Sequence, residues 1–221
     1  MTLSEKINRF NQQLQIKASL PENVEVLNPF RDSDALELSS RFYQKYYNDE
    51  QPRKLILGIN PGRFGAGVTG VPFTDPVKLQ EVCRIKNDLK KSTEPSAGFI
   101  YDMIDAWGGP RSFYKSYFIH AVCPLGFTRD GVNYNYYDDK NLENAVTPFI
   151  IDSLKQIIAM GFETEVCYCL GNGKNFKYLK DLNDKKALFG EVIPLPHPRW
   201  IVQYRKKRYT EFIALYLDTL K

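Results

Sequence analysis

The sequence contains little histidine and cysteine, and this scarcity excludes several common catalytic and metal-binding arrangements. With only two histidines and no G-x-S-x-G motif, a Ser-His-Asp or Cys-His catalytic arrangement has little support. The four cysteines include no C-x-x-C pair and no series that fits an iron–sulfur or zinc site. Cys167 and Cys169 are two residues apart in an apolar run, so we predict that both face the core. We therefore expect no metal and no cofactor.

Long apolar segments are also missing from the chain. No run approaches the roughly 18 apolar residues of a membrane span, and the start, MTLSEKINRF, lacks the apolar region of a signal peptide. We expect an intracellular, cytoplasmic protein in a reduced compartment, without a membrane partner and monomeric. The length of 221 residues fits one domain over 1–221. The net charge of +4 permits a polyanionic partner without demanding one.

Four β-rich runs alternate with helical patterns beyond residue 50. They comprise residues 54–58, 116–122, 165–170 and 191–195. Such alternation favours right-handed crossovers and a parallel sheet with helices on both faces. We therefore predict an α/β fold, a three-layer α/β/α sandwich with a central, mainly four-stranded parallel sheet.

Helices are predicted from apolar residues at helical spacing and from capping signals. Residues 1–50 are interpreted as a helical flank, with one helix in 3–14 and another that begins at Asp32 or Ser33, and with a short extended piece at 24–27. A further helix is predicted over 97–107, and another begins at Thr147-Pro148. Two more are predicted, one from Asn172 or Asn175 to Leu182 and one over the C-terminal residues from Tyr209.

Polar residues follow the predicted strands at the points where the strands end. Asn60 comes after the first strand, Asn172 after the third and His197 after the fourth. The carboxyl ends of parallel strands meet at one edge, where open α/β sheets bind ligands. The loop after the first strand is glycine-rich and runs about 17 residues, a length that is usually functional or disordered. We expect a ligand site at this edge.

Two phosphate-binding motifs are excluded by their context. Gly65 to Gly70 match G-x-G-x-x-G, but the strand ends earlier, near Gly58, and prolines oppose an immediate helix. The stretch Gly171-Asn172-Gly173-Lys174 lacks the spacing and the hydroxyl residue of a P-loop. Neither motif therefore supports nucleotide-cofactor binding.

The two histidines have different expected roles. His197 lies between Pro196 and Pro198, which hold it in a rigid, extended loop at the end of a strand, so we favour a functional role. His120 lies inside the second strand, and we interpret it as a core residue.

The densest positive charge follows His197 along the chain. Basic residues at 199 and 205–208 are interleaved with Trp200 and Tyr204. Such a run is either a solvated helix face or a surface that combines phosphate contacts with base stacking. Because it starts close to His197, it should lie beside the candidate site.

Three stretches together resemble the uracil-DNA glycosylase superfamily, and most closely its single-strand-selective monofunctional branch. The first motif runs from Gly58-Ile59-Asn60-Pro61-Gly62 to Thr69-Gly70-Val71-Pro72-Phe73, the following strand is Phe118 to Leu125, and the second motif is His197-Pro198-Arg199, shortened by two residues. The resemblance runs from about Leu55 to Arg199 and leaves residues 1–50 outside it.

The resemblance implies a monofunctional DNA glycosylase of base excision repair that removes uracil or a related damaged base from single- or double-stranded DNA by base flipping and water attack. It implies that Asn60 positions the water, Phe73 stacks on the base and His197 stabilises charge on the base oxygen. The implied substrate-binding residues are Gly58, Ile59, Pro61, Gly62, Gly70, Phe73, Ala121 and Asn172. The implied nucleic-acid-binding residues are Arg199, Trp200, Arg205, Lys206, Lys207 and Arg208.

One position departs from the family pattern. Ala121 stands where the branch usually has an asparagine that reads the pairing edge of the base, and Asn133, Asn135 and Asn172 are candidate replacements. Two other functions therefore stay open: a non-catalytic relative that binds single-stranded nucleic acid, and a hydrolase acting on nucleosides or bases.

Overall fold

The computed structural model describes all residues from 1 to 221. The strands are β1 Val24–Leu27, β2 Lys54–Gly58, β3 Tyr117–Ala121, β4 Gly126–Arg129, β5 Val132–Tyr134, β6 Val166–Leu170 and β7 Glu191–Leu195. The helices are α1 Leu3–Gln13, α2 Ser33–Tyr46, α3 Ala66–Thr69, α4 Pro76–Glu81, α5 Pro95–Ala106, α6 Pro110–Ser116, α7 Lys140–Ala159, α8 Lys174–Lys186, α9 Pro198–Tyr204 and α10 Tyr209–Thr219. None of the helices combines the length and apolar character needed to cross a bilayer.

The central sheet has four parallel strands in the order β3-β2-β6-β7. This confirms the predicted sheet, and β2 and β7 have the predicted bounds. Strand β3 is one residue shorter than its predicted run at each end, and β6 is one residue shorter at its start. The loops after β2, β3, β6 and β7 consequently leave the sheet at the same edge.

Helices cover both faces of this sheet. On one face, Phe118 of β3 stacks on Phe162 beyond α7 at a ring distance of 4.6 Å, and Asn175 of α8 lies against Cys169. On the other face, Tyr117 stacks on Phe113 of α6 and donates a hydrogen bond to the carbonyl beyond α10. The three-layer prediction is therefore confirmed, and Cys167 and Cys169 are both buried in the core.

The N-terminal helices close the free edge of the sheet at β3. The Tyr47 hydroxyl, just beyond α2, donates to the Tyr117 carbonyl at 2.9 Å, and Phe10 of α1 packs edge-on against His120. Asp32 caps α2 by accepting hydrogen bonds from the N–H groups of residues 34 and 35, which is the stabilising pattern of an N-cap. The predicted helical flank is therefore packed onto the sheet.

A small antiparallel sheet, in the order β1-β4-β5, was not predicted. Only β1 was expected as an extended piece. The turn between β4 and β5 contains Asp130 and Gly131, both with positive φ. An Asp-Gly pair of this kind strongly favours a tight hairpin. This sheet lies beside the glycine-rich loop, since the Pro61 carbonyl approaches Gly126 so closely that a side chain there would clash.

The predicted helix start at Thr147-Pro148 is wrong. Helix α7 begins at Lys140, capped by Asp139, and Pro148 lies inside it. A proline has no N–H and therefore suits the first turn of a helix. In α7, however, the buried apolar face begins before Pro148, at Leu142 and Val146. The packing of that face outweighs the local signal.

Candidate active site

A cavity of about 330 Å³ opens at the carboxyl edge of the parallel sheet. Its wall combines the loop after β2, the end of β3, the β5 segment, the start of α5 and the α9 region. Ten of the predicted site residues line it: Gly58, Ile59, Asn60, Pro61, Gly62, Phe73, Ala121, His197, Arg199 and Trp200. Asn60 and His197, which are far apart in the sequence, therefore face one crevice.

The Asn60 carboxamide is held in one orientation by the segment after β5. Its Nδ2 donates to the carbonyls of Pro61 and Tyr134, both at 3.3 Å. Its Oδ1 accepts the Tyr136 N–H at 3.1 Å. An amide oxygen has two lone pairs, so Oδ1 keeps one acceptor position that is available to a bound water.

The His197 imidazole is half-buried and neutral at pH 7. Burial lowers its pKa to about 4, and the positive charge of Arg199 adds to this effect. Its Nδ1 accepts the Arg199 N–H at 3.1 Å, which caps α9. The neutral ring therefore carries its proton on Nε2, which is left as a hydrogen-bond donor.

Phe73 forms a flat wall beside His197. The two rings are 5.9 Å apart at an angle of 49°. Phe73 has a positive φ of 52°, an uncommon backbone conformation for a non-glycine residue that is often found at functional sites. Its ring lies directly over Gly58, where an added Cβ would approach it to 2.8 Å. Glycine at 58 therefore leaves room for the ring at the strand end.

Two predicted site residues do not line the cavity. Gly70 ends α3 with a φ of 69° and faces Ser39 and Phe30, so its role is in the turn. Asn172 is exposed in the loop after β6. The buried amide nearby belongs to Asn175 of α8, which does not line the cavity either.

Asn175 connects the ends of two strands below the cavity. Its Nδ2 donates to the Leu170 carbonyl at 3.1 Å and the Gly58 carbonyl at 3.4 Å. Its Oδ1 accepts the Tyr136 hydroxyl at 2.7 Å. The same segment that orients Asn60 is thereby anchored to the main sheet.

Glu94 and Ser96 are cavity residues that the sequence interpretation missed. They flank Pro95 at the start of α5, and Ser96 is buried. Burial and the nearby charge of Asp75 together raise the pKa of Glu94 to about 7, against the opposing effect of Arg199. The Glu94 carboxylate lies against Gly65, where a Cβ would meet it at 1.9 Å. A Glu-Pro pair before an apolar helix was the available signal, but it marks many helix starts.

Two of the candidate base-reading asparagines line the cavity. Asn133 Oδ1 accepts the Arg63 N–H at 3.0 Å, and Asn135 donates through Nδ2 to Asp138 at 2.9 Å. Each keeps amide atoms free of protein partners. Ala121, by contrast, contributes only a methyl group to the wall.

The rim beside His197 is positively charged. Arg199 and Trp200 are exposed at the cavity mouth, and Arg205 stacks over the Trp200 ring at 4.6 Å. Lys206 and Lys207 are exposed, whereas Arg208 pairs with Glu211. The predicted nucleic-acid residues are therefore all exposed, and those at 199 and 200 lie at the cavity.

His120 is buried, with 5% of its surface exposed. Burial lowers its pKa to about 4. Its Nδ1 lies 3.1 Å from the Ala121 carbonyl, and its ring packs on Phe118. The ring thus has the surroundings of a core residue, although its atoms contribute to the cavity wall.

The family model of the uracil DNA glycosylase superfamily matches residues 44–221. The single-strand selective monofunctional uracil DNA glycosylase of Mus musculus is 28% identical over 136 residues, which are 54% of this chain and 48% of that protein. The chain thus spans about half the length of this curated relative. The crystal structure of wild-type Pedobacter heparinus SMUG2 superimposes with a TM-score of 0.96 at 44% identity, covering 99% of this chain and 97% of that chain.

Proposed function

Because this chain belongs to the uracil DNA glycosylase superfamily, we propose that it is a monofunctional DNA glycosylase that hydrolyses the N-glycosidic bond of uracil or a related damaged base. The observation that carries the proposal is the shared crevice of Asn60 and His197. It contains an oriented amide acceptor, a neutral imidazole donor and a flat aromatic wall. These groups suit the water, the leaving base and the base face, respectively.

Asn60 has the role of orienting water. Breaking a glycosidic bond produces an oxocarbenium-like sugar, which a water molecule attacks without strong activation. An amide is not a strong base, so Asn60 Oδ1 accepts one water proton and fixes the water beside the sugar. Orientation of this kind is a large source of rate acceleration.

His197 has the role of stabilising the leaving base. The base departs as an anion, and the Nε2–H of a neutral imidazole donates a hydrogen bond to the oxygen on which charge develops. A fixed donor at such a position contributes roughly 3–4 kcal/mol. The Arg199 N–H on Nδ1 keeps the proton on Nε2 and so maintains the donor.

Phe73 has the role of holding the flipped base. Extruding a nucleotide from a stack costs a few kcal/mol, and stacking on an aromatic ring returns about 1–3 kcal/mol. The exposed cations beyond His197, including Lys206 and Lys207, supply phosphate contacts. No lysine lines the cavity, so an amine that forms a Schiff base, as a strand-nicking lyase requires, is not in place.

Release of base from a single-stranded oligonucleotide containing uracil tests the proposal. The wild-type protein should produce alkali-labile abasic sites, and Asn60→Ala should abolish them without changing thermal stability by more than a few degrees. Asn141→Ala, at an exposed position of α7, is the matched control. A wild-type protein that leaves uracil, hydroxymethyluracil and hypoxanthine oligonucleotides intact would refute the activity. Tight binding without cleavage would support a non-catalytic binder.

A further inference from the structure

The exposed aromatic side chains of this protein lie on two elements that contribute to the cavity wall, the loop after β2 and α9. The aromatic side chains with more than a third of their surface exposed are Phe64 at 51%, Trp200 at 38% and Tyr204 at 59%. Trp200 and Tyr204 lie in α9 and line the cavity. Phe64 lies in the loop after β2, between the lining residues Gly62 and Ala66. Two separate elements of the cavity wall therefore carry the exposed rings.

The Phe64 loop is anchored at both ends. The Arg63 N–H donates to Asn133 Oδ1 at 3.0 Å, and Ser92 Oγ donates to the Phe64 carbonyl at 3.4 Å. The Arg63 guanidinium also donates to the Gly131 carbonyl in the β4–β5 turn. Phe64 is thus presented to solvent by a fixed backbone, which lowers the entropy lost when it binds a partner.

In both elements an arginine lies beside an exposed ring. The Arg63 guanidinium carbon is 4.6 Å from the Phe64 ring centroid, and that of Arg205 is 4.6 Å from the Trp200 ring. Arg63 forms no ion pair with an acidic side chain within 4 Å. A cation beside an exposed ring offers one contact to a phosphate and one to a base, the combination that binds single-stranded nucleic acid.

We propose that Phe64 on one side and Trp200 with Tyr204 on the other are stacking platforms for the nucleotides that flank the flipped base. This inference rests on the proposed function and extends it from the damaged base to its two neighbours. A single strand is then held across the mouth, with the central base in the cavity and one base against each platform.

The physical reason is the stacking that flipping removes. When the central base enters the cavity, each neighbour loses a stacking partner on that side. An aromatic platform replaces it by about 1–3 kcal/mol per base and tolerates any base, because every base has a π face. The flanking sequence therefore has little effect on binding, whereas the presence of a flanking nucleotide has a large one.

Binding of a fluorescent single-stranded oligonucleotide tests the inference. The probe has about 15 nucleotides, with one central 2′-fluoro-2′-deoxyuridine as an uncleaved uracil analogue. Phe64→Ala should weaken its Kd about tenfold, and Phe64→Trp should keep it. Leu215→Ala on α10 is the matched control, because Leu215 is also exposed, at 43%, and does not line the cavity. In cleavage assays Phe64→Ala should raise KM and leave kcat close to the wild type.

Truncated probes separate stacking from a general loss of structure. Removing all nucleotides on the Phe64 side of the analogue should make the wild type and Phe64→Ala bind equally, while removal on the other side should preserve their difference. Equal Kd values for the two proteins on the full probe would overturn the inference. A Phe64→Ala defect confined to duplex probes would also overturn it. A wild type that binds this probe but releases no uracil from the corresponding oligonucleotide with ordinary deoxyuridine would instead count against the proposed function.

Discussion

We predict that Glu94 makes the proposed DNA binding sensitive to pH near neutrality. Its carboxyl lines the cavity beside Arg199, and burial together with the charge of Asp75 raises its pKa to about 7, against the opposing effect of Arg199. The group is mostly protonated at pH 6 and mostly ionised at pH 8. Ionisation adds a negative charge to a cleft that has to accept phosphates. Affinity for DNA should therefore fall as the pH rises through 7.

The size of this effect follows from Coulomb's law. A carboxylate about 8 Å from a phosphate at an effective dielectric constant of about 20 is repelled by roughly 2 kcal/mol. That energy corresponds to about 30-fold in Kd. Screening at about 0.1 M salt reduces it, so we expect a 5- to 30-fold weaker Kd at pH 8 than at pH 6.

Fluorescence anisotropy at constant ionic strength measures this dependence. Glu94→Gln should remove most of the pH dependence and bind at pH 8 as the wild type does at pH 6. Glu22→Gln changes the net charge equally at an exposed position outside the cavity and is the control. Parallel pH profiles for the wild type and Glu94→Gln would refute the reasoning.

The same carboxyl affects stability with a defined sign. Because its pKa in the folded protein lies above the ordinary glutamate value of 4.5, the folded state binds the proton more tightly than the unfolded state. Its contribution is fully present below about pH 4.5 and is lost as the pH rises towards 7. The pH dependence of the unfolding temperature of Glu94→Gln should therefore lack the contribution of this carboxyl. This measurement tests the raised pKa without DNA.

Two further substitutions probe the cavity wall and the charged rim. Gly58→Ala places a methyl group 2.8 Å from the Phe73 ring, so it should displace the ring and slow base release at least tenfold, measured under single-turnover conditions; unchanged rates would mean that the position of this ring is not critical. The double variant Lys206→Glu with Lys207→Glu should reduce the slope of log Kd against log salt concentration by up to about 1.4 for single strands. The control, Lys185→Glu with Lys186→Glu, lies outside the cavity and its charged rim and should leave this slope unchanged. Equal slopes for the wild type and both double variants would show that the rim is not part of the interface.

The main sheet was predictable because its strands are short apolar runs bounded by glycine, proline or asparagine. Three of those runs, in β2, β3 and β6, are buried on both faces, so their apolar composition distinguishes them, whereas β7 at the edge of the sheet is partly exposed. The position of Asn60 and His197 at one edge followed from strand direction. Glu94 was not predictable in this way, because it reaches the cavity from the start of α5 through packing between distant segments.

The choice between Asn172 and Asn175 also depended on three-dimensional information. Both follow β6 within a few residues, and no local pattern distinguishes the exposed amide from the buried one. Asn175 is buried because its amide has partners on β2, on β6 and on Tyr136. Two of these partners are remote in sequence, at positions 58 and 136, and so they are invisible to a local pattern.

The antiparallel sheet that the sequence interpretation missed has a direct part in the proposed chemistry. Two of the three hydrogen bonds that fix the Asn60 carboxamide come from residues 134 and 136, which are the last residue of β5 and a residue just beyond it. A flipped amide would set Nδ2 against the Tyr136 N–H and Oδ1 against two carbonyls. At about 1 kcal/mol for each contact, the observed orientation is favoured by about 3 kcal/mol, or roughly 150-fold. The hairpin therefore keeps an acceptor, rather than a donor, directed at the water that attacks the sugar.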